Sequence, residues 1–480
     1  MWTLGLCFVS LLVMYYTHLI YKWRNPKCNG GVLPPGSMGL PIIGETLRLI
    51  IPSYSLDHHP FIQKRIQRYG PIFRTSLIGR PVIVSADPEV NHYIFQQEGN
   101  SVEMWYLDAY SKLFQLEGES RLSAFGRVHK YIRSITLNHF GTDSLKENLL
   151  PQIEDMVNKS LQKWSTQASV DVKQAASVMI FNLTAKKMFC YGVENSSSEE
   201  ITEKFTGIFN SLLSLPLNIP GTTYHKCLKD REALLKILKD TLKERLTSPD
   251  MRRGDFLDQT IDDMESEKFL TEDSIPQLIF GILLAGFETT ATTLTLVFKF
   301  LAEHPLVLEE LTAEHEAILK SRENSDSPLT WDDYKSMIFT HHVINETLRL
   351  ANFMPGFLRK ALKDIKVKDY TIPAGWTIMV VKSAMQLNPE TYKDPLAFNP
   401  WRWKDLDSYT VSKNFMPFGG GSRQCAGAEY SKLFMAIFLH ILVTKYRWTK
   451  IKGGEIVRNP ILGFGGGLHI KFSARLSNQT

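Results

Sequence analysis

The chain has 480 residues, 44% of them hydrophobic, and its 55 basic and 50 acidic side chains leave a formal charge of +5. That is material for one large domain or two ordinary ones. The mild basicity comes without a basic block or RNA-type aromatic motif, which argues against a nucleic-acid binder and suits an anionic membrane or an acidic protein partner.

Met1 to Tyr21 carries no Lys, Arg, Asp or Glu and is about long enough to cross a bilayer as a helix. Lys22, Arg24 and Lys27 follow at once, so the positive-inside rule puts the body of the chain in the cytosol. A cleaved signal peptide is the rival. It lacks its basic n-region here, and Tyr15-Tyr16-Thr17-His18 interrupts the approach to a small-residue cleavage site. With a cytosolic body the sequon at Asn195 is unused. The expected organisation is an anchor over residues 1–21, a basic and Pro-rich linker over 22–36 stiffened by Pro34 and Pro35, and a body over 37–480.

Tyr69 to Thr75 and Arg80 to Ser85 contain β-branched runs around a turn and predict a small hairpin. Asp87-Pro88 predicts a helix start. From Asn100 to Phe125 the pattern loosens, with Trp105, Tyr106, Tyr110 and Phe114 among polar residues. His129 and Arg133 are i, i+4 on one helical face, so both can point at one anionic group; the bland reading is two solvated side chains. Residues 145–270 are helical and charge-rich, broken by the apolar, Pro-interrupted connector Leu212 to Tyr224.

Ser274 to Glu303 is the longest apolar helical pattern after the N-terminal run and closes at His304-Pro305. Within it, Ala285-Gly286-Phe287-Glu288-Thr289-Thr290 is odd for plain core. Gly286 weakens the helix, and Thr289 can bond back to the Ala285 carbonyl and open a local bulge. Glu346 and Arg349 are i, i+3 on one face, by themselves a common surface pair. Tyr370 to Val381 predicts strand, turn, strand, and Arg458 to Phe472 another hairpin with Gly463 to Gly467 at its tip.

Five cysteines, Cys7, Cys28, Cys190, Cys227 and Cys425, are odd in number and lack Cys-x-x-Cys spacing. That argues against a disulfide framework or a zinc site and for a reducing compartment. Cys425 stands apart from the rest. It lies in Phe418-Gly-Gly-Gly-Ser-Arg423-Gln-Cys425-Ala-Gly427, ahead of a helical pattern. The glycines let backbone approach something large and flat, and a sulfur at a helix N-terminus is favoured as thiolate. Arg423 supplies a cation suited to a carboxylate. A phosphate cradle would want Gly-Lys-Ser/Thr, which is absent, and a lone cysteine as mere packing leaves the glycines and arginine unexplained.

The spacing Phe-x-x-Gly-x-Arg-x-Cys-x-Gly resembles the heme-binding signature of the cytochrome P-450 monooxygenases, and the resemblance covers nearly the whole chain. Leu33 to Thr46 looks most like the plant branch that oxidises sterols, brassinosteroids and triterpenoids. The resemblance implies a mainly α fold with small β regions and an N-terminal transmembrane helix, binding heme b through Cys425 as axial iron ligand, with Phe418 in the signature. It implies that Arg423, Arg359, Arg133 and His129 hold the heme propionates, His129 standing where the family usually has Trp. It matches Ala285 to Thr290 to the oxygen motif, so that Thr289 and Glu288 carry protons, and it makes Glu346, Arg349 and Arg402 a buried structural clamp. Asn100 to Phe125, Ala351 to Leu358, the Leu212–Tyr224 lid and the Gly463 to Gly467 tip would border the substrate.

The expected activity is hydroxylation of a hydrophobic small molecule, a sterol or triterpenoid, using O2. The expected partners are NADPH–cytochrome P-450 reductase and membrane lipid, since no flavin or nicotinamide motif is present. The expected location is the endoplasmic reticulum membrane, single-pass, with the catalytic domain cytosolic. Two other readings are a heme-thiolate isomerase or dehydratase acting on a peroxide and a heme-dependent sensor. The first tends to lose the Thr and acid of the oxygen motif, and the second needs no proton relay; this chain keeps both residues.

Overall fold

The computed structural model describes residues 2–26, 28, 30–105, 121–190, 198–211, 217–324 and 327–475. Tyr106, Tyr110, Phe114, the Asn195 sequon and the first part of the Leu212–Tyr224 connector lie outside them. The main helices are α1 (Trp2–Arg24), α2 (Pro60–Tyr69), α3 (Pro88–Gln96), α4 (Arg121–Phe140), α5 (Leu150–Ser165), α6 (Val172–Phe189), α7 (Ser198–Ser211), α8 (Thr223–Thr247), α9 (Ser274–Glu303), α10 (Pro305–Ser321), α11 (Ile338–Ala351) and α12 (Ala428–Lys445). The strands are β1 (Ile72–Leu77), β2 (Arg80–Ser85), β3 (Val102–Met104), β4 (Val170–Asp171), β5 (Phe357–Ala361), β6 (Ile365–Val367), β7 (Tyr370–Ile372), β8 (Thr377–Val380), β9 (Tyr446–Arg458) and β10 (Leu462–Ala474).

Local chemistry starts the helices. The Asp87 carboxylate accepts from the amides of Glu89 and Val90, both at 3.0 Å, and Pro88 at the first helical position needs no partner for an amide. Asp171 caps α6 in the same way through the Lys173 amide at 3.1 Å. The axis of the core is α9. Its Phe298 ring meets Phe438 of α12 at 5.7 Å, and Trp448 of β9 and Phe472 of β10 each at 5.8 Å. Burying one such ring contributes about 1.5–3 kcal/mol.

The sheets are small. The largest has strand order β1-β2-β8-β5-β3, with β1 and β2 antiparallel, β2 and β8 parallel, and Met104 of β3 opposite Arg359 of β5. The expected strand, turn, strand at Tyr370 to Val381 is correct, and its two strands take different partners. β7 pairs with β6, while β8 belongs to the large sheet.

Two expectations need correction. Helix α9 runs unbroken through Thr289, which bonds back to Ala285 without opening a bulge. The C-terminal hairpin turns at residues 459–461, and Gly463 and Gly465 lie inside β10, paired with Val457 and Glu455. Two of the glycines there, Gly465 and Gly467, serve close packing. A Cβ on Gly467, at φ +70°, would stand 2.2 Å from the Asp171 carboxylate.

Helix α1 continues past Tyr21 to Arg24, and its side chains from Cys7 to Lys22 are exposed. Among the described residues one helix is long and apolar enough to cross a membrane. It is α9, and 72% of its apolar window is buried in the core.

Glu346 and Arg349 are wholly buried. Glu346 accepts from Arg349 Nε and Nη2, both at 2.8 Å, from Arg402 Nε and the Asn399 amide, both at 3.0 Å, and from the Trp403 indole at 3.1 Å. Arg349 also donates to the carbonyls of Gln386 at 2.9 Å and Pro395 at 2.7 Å. With every lone pair and proton met, the charges are tolerable in the interior. Replacing Arg349 by Ala leaves Glu346 without its main partner, at a cost of ~3–5 kcal/mol. The expected result is a lower urea midpoint and little soluble protein; a wild-type midpoint would contradict this.

A second buried polar contact docks α12. His440 Nδ1 lies 3.0 Å from His315 Nδ1 of α10, and His315 Nε2 lies 3.0 Å from the Thr340 hydroxyl of α11. Burial is the main cause holding both imidazoles neutral, His440 down to about 4 and His315 well below its usual value. Both folded values are depressed, so the unfolded chain takes up these protons first. Stability is therefore complete above the unfolded value of 6.5 and declines as pH falls below it, by up to about 1.4 kcal/mol per pH unit for each histidine. Urea midpoints measured from pH 7 down to 5 should fall, and His440→Asn should flatten that slope.

Candidate active site

The Cys425 loop is held by its own backbone and by α3. The Cys425 amide donates to the Phe418 carbonyl at 3.0 Å, closing the loop. Gly421, at φ +67°, presses so closely on α3 that a Cβ would stand 2.2 Å from the Phe95 carbonyl oxygen. This glycine therefore answers first to a protein neighbour. Helix α12 begins at Ala428, with Gly427 as its cap residue. Cys425 is exposed on one side, yet enough protein surrounds it that burial pushes its thiol up. The Gly427 amide and the Arg133 cation pull the other way. The helix terminus alone thus does not make a thiolate; a cation at the sulfur is needed to complete the deprotonation.

Around the loop stand the basic residues drawn from distant parts of the sequence. Arg133 of α4 donates to the Gln424 carbonyl. His129, one turn earlier, is held down to about 4, chiefly by burial and then by Arg423 and Arg133. Its imidazole is therefore neutral at neutral pH. Arg423 Nε donates to Glu98 Oε1 at 2.9 Å, and Arg359 Nε lies 2.9 Å from Glu98 Oε2. Glu98, in the turn after α3, carries no motif and went unread in the sequence. Phe418 lies beside Lys432, whose Nζ is 5.8 Å from the ring centroid.

Helix α9 approaches the same region. The Thr290 and Ser431 hydroxyls are 3.0 Å apart, tying α9 to the first turns of α12. On this otherwise buried helix, Ala285 is exposed and Gly286 and Thr289 are half-buried. The Thr289 hydroxyl donates to the Ala285 carbonyl at 3.1 Å, which leaves its oxygen to accept. Glu288 takes another direction. It is buried, ion-paired with Lys173 of α6, and it accepts from the hydroxyls of Ser177 at 3.4 Å and Thr206 at 3.3 Å.

These features fit a heme. An open thiol in a closed loop, several cations beside it and an open window on α9 are what an iron macrocycle with acidic substituents requires. Among the described residues no group of three or more His, Cys, Asp or Glu could hold a metal ion. A metal held by the Cys425 thiol alone has to bring its remaining ligands with it, as a heme iron does.

The family model "Cytochrome P450" matches residues 34–471. The chain belongs to the cytochrome P-450 family. This P-450 is 58% identical to a cucurbitadienol 11-hydroxylase from Siraitia grosvenorii over 99% of its own length and 100% of the relative's. It is 53% identical, over the same shares, to a beta-amyrin 16-alpha-hydroxylase from Maesa lanceolata. A cyanobacterial relative solved with retinoic acid bound has a TM-score of 0.80 and 26% identity, covering 93% of this chain and 100% of that one. As a P-450 monooxygenase, the enzyme carries a heme iron and uses O2, a hydrophobic substrate and a redox partner.

Replacing Cys425 by Ala should abolish the absorbance band of the reduced carbon-monoxide complex at about 450 nm. A band retained in that variant would remove the thiol from the iron.

Proposed function

We propose that this P-450 hydroxylates a triterpenoid, taking electrons one at a time from NADPH through a separate cytochrome P-450 reductase. The observation that carries this reading is its full-length similarity to two hydroxylases named for triterpenoid substrates. Bound through a thiolate, heme supplies O2 activation for insertion of one oxygen atom into a C–H bond.

The chain's residues divide the remaining work. Cys425 holds the iron, and Arg133, Arg359, Arg423 and neutral His129 hold the propionates. Thr289, its hydroxyl hydrogen committed to Ala285, presents an acceptor oxygen that orients a water in the pocket. Glu288, paired with the partly exposed Lys173, exchanges protons with solvent, and a change of its side-chain rotamer toward Thr289 completes the proton route. The Glu346, Arg349 and Arg402 clamp supports the heme-side core.

Residues 1–21 serve as a single-pass anchor in the endoplasmic reticulum membrane, residues 22–36 as a linker and residues 37–480 as a cytosolic catalytic domain. Support comes from the uncharged run of α1, exposed from Cys7 onward, and from the Lys22 and Arg24 of its last turn. The exposed apolar side chains of Ile42, Ile51, Tyr54 and Ile219 add lipid-seeking surface on the body.

The test is reconstitution with reductase, NADPH and a panel of triterpenes including cucurbitadienol and beta-amyrin. A hydroxylated product that requires both O2 and NADPH is expected. In Thr289→Ala, heme content and substrate-induced Soret shifts should persist while hydrogen peroxide rises severalfold per product formed. An unchanged ratio removes Thr289 from the mechanism, and turnover without O2 or reductase favours the isomerase.

A further inference from the structure

Glu98 is locked in place before its side chain does anything. Asp87 and Pro88 fix the start of α3, which ends at Gln96. Gly99 then turns the chain at φ +81°, its amide donating to the Val102 carbonyl at 2.8 Å. Ser101 and Asn100 both donate to the Gln97 side chain, at 3.2 and 3.0 Å. The Glu98 carboxylate that emerges from this turn is 6% exposed, and the arginines on it, Arg359 and Arg423, are 5% and 8% exposed. Arg359 comes from β5 and Arg423 from the Cys425 loop, so a single carboxylate joins these two elements. Its Oε1 also accepts the Met104 amide at 2.9 Å, and Met104 is the residue opposite Arg359 in the sheet.

We infer that Glu98 is a positioning residue for the heme edge: it sets the guanidiniums of Arg359 and Arg423, and its negative charge offsets theirs beside the heme. The inference rests on the reading that these arginines hold the propionates. The hydrogen bond at Arg423 Nε fixes the plane in which its Nη groups lie, the ion pair at 2.9 Å draws Arg359 to the same carboxylate, and a planar fork recognises a carboxylate only in a set orientation. A buried negative charge near the iron disfavours the added electron of the reduced state, because few solvent dipoles screen it. Position and charge are therefore separable properties of this one side chain.

The experiment uses full-length holoprotein. The reduction midpoint is measured by spectroelectrochemistry, and heme loss by transfer to apomyoglobin. Glu98→Gln keeps the shape and removes the charge; its midpoint should move positive and its heme loss quicken severalfold. Glu98→Asp keeps the charge and withdraws it by one methylene; its midpoint should stay near wild type while heme loss still quickens. A wild-type midpoint in Glu98→Gln overturns the inference, since a merely structural residue would alter stability and leave the potential alone. Should Glu98→Gln yield no holoprotein, Glu98→Asp decides: faster heme loss supports positioning, and a wild-type rate overturns it. Wild-type protein without a thiolate-ligated carbon-monoxide spectrum would instead overturn the heme-site reading itself.

Discussion

The heme side of this molecule is built around a carboxylate that never meets solvent. Glu346 gathers Arg349 from its own helix with Arg402, Trp403 and the Asn399 amide from a later segment. Each of these groups would be expensive to bury alone, and the set is stable only when complete. From Trp403 the order passes to Phe415, whose ring lies 4.6 Å away in an edge-to-face contact. Phe415 precedes the Cys425 loop by three residues. The loop is thus braced from below by a polar knot and from the side by α3, through Phe95 and Gly421. Held from two sides, the loop keeps its thiol still.

Much of the architecture was legible because its signals are local. Asp87-Pro88 starts a helix at the expected place, the Ile72–Ser85 hairpin forms, and the long apolar run from Ser274 becomes the core helix. What was not legible was non-local pairing. Nothing in Tyr370 to Val381 reveals that its two strands serve different sheets, because the partners of β8 lie at Val82 to Ser85 and Phe357 to Lys360. The glycines of the last strand misled for a related reason. A run of glycine reads as a mobile tip, whereas here it admits the Asp171 carboxylate and a neighbouring backbone.

The site divides along the same line. Motif spacing was enough to single out Cys425, Arg423, Thr289 and the Glu346–Arg349 pair, and the structure brings Arg423, Arg133, His129 and Cys425 into one neighbourhood. Direction was not legible. Glu288 adjoins Thr289 in sequence, yet about 100° of helical rotation sends it toward Lys173 and away from its neighbour. Glu98 escaped altogether, since a lone acid in a polar turn has no signature until Arg359 and Arg423 arrive from far along the chain.

One arrangement bears on how the protein is handled and made. The stretch best suited to lipid is α9, most of which the folded state hides, whereas α1 is exposed from Cys7 to Lys22. A chain that fails to close its core therefore presents an apolar, bilayer-compatible stretch of α9, most of which the native molecule buries. Such a chain will partition into membranes or aggregate on them for reasons unrelated to targeting. Sedimentation with a membrane pellet consequently reports two different things in this protein, correct tethering and incorrect folding. Only a measure of bound heme taken on the same fraction tells them apart.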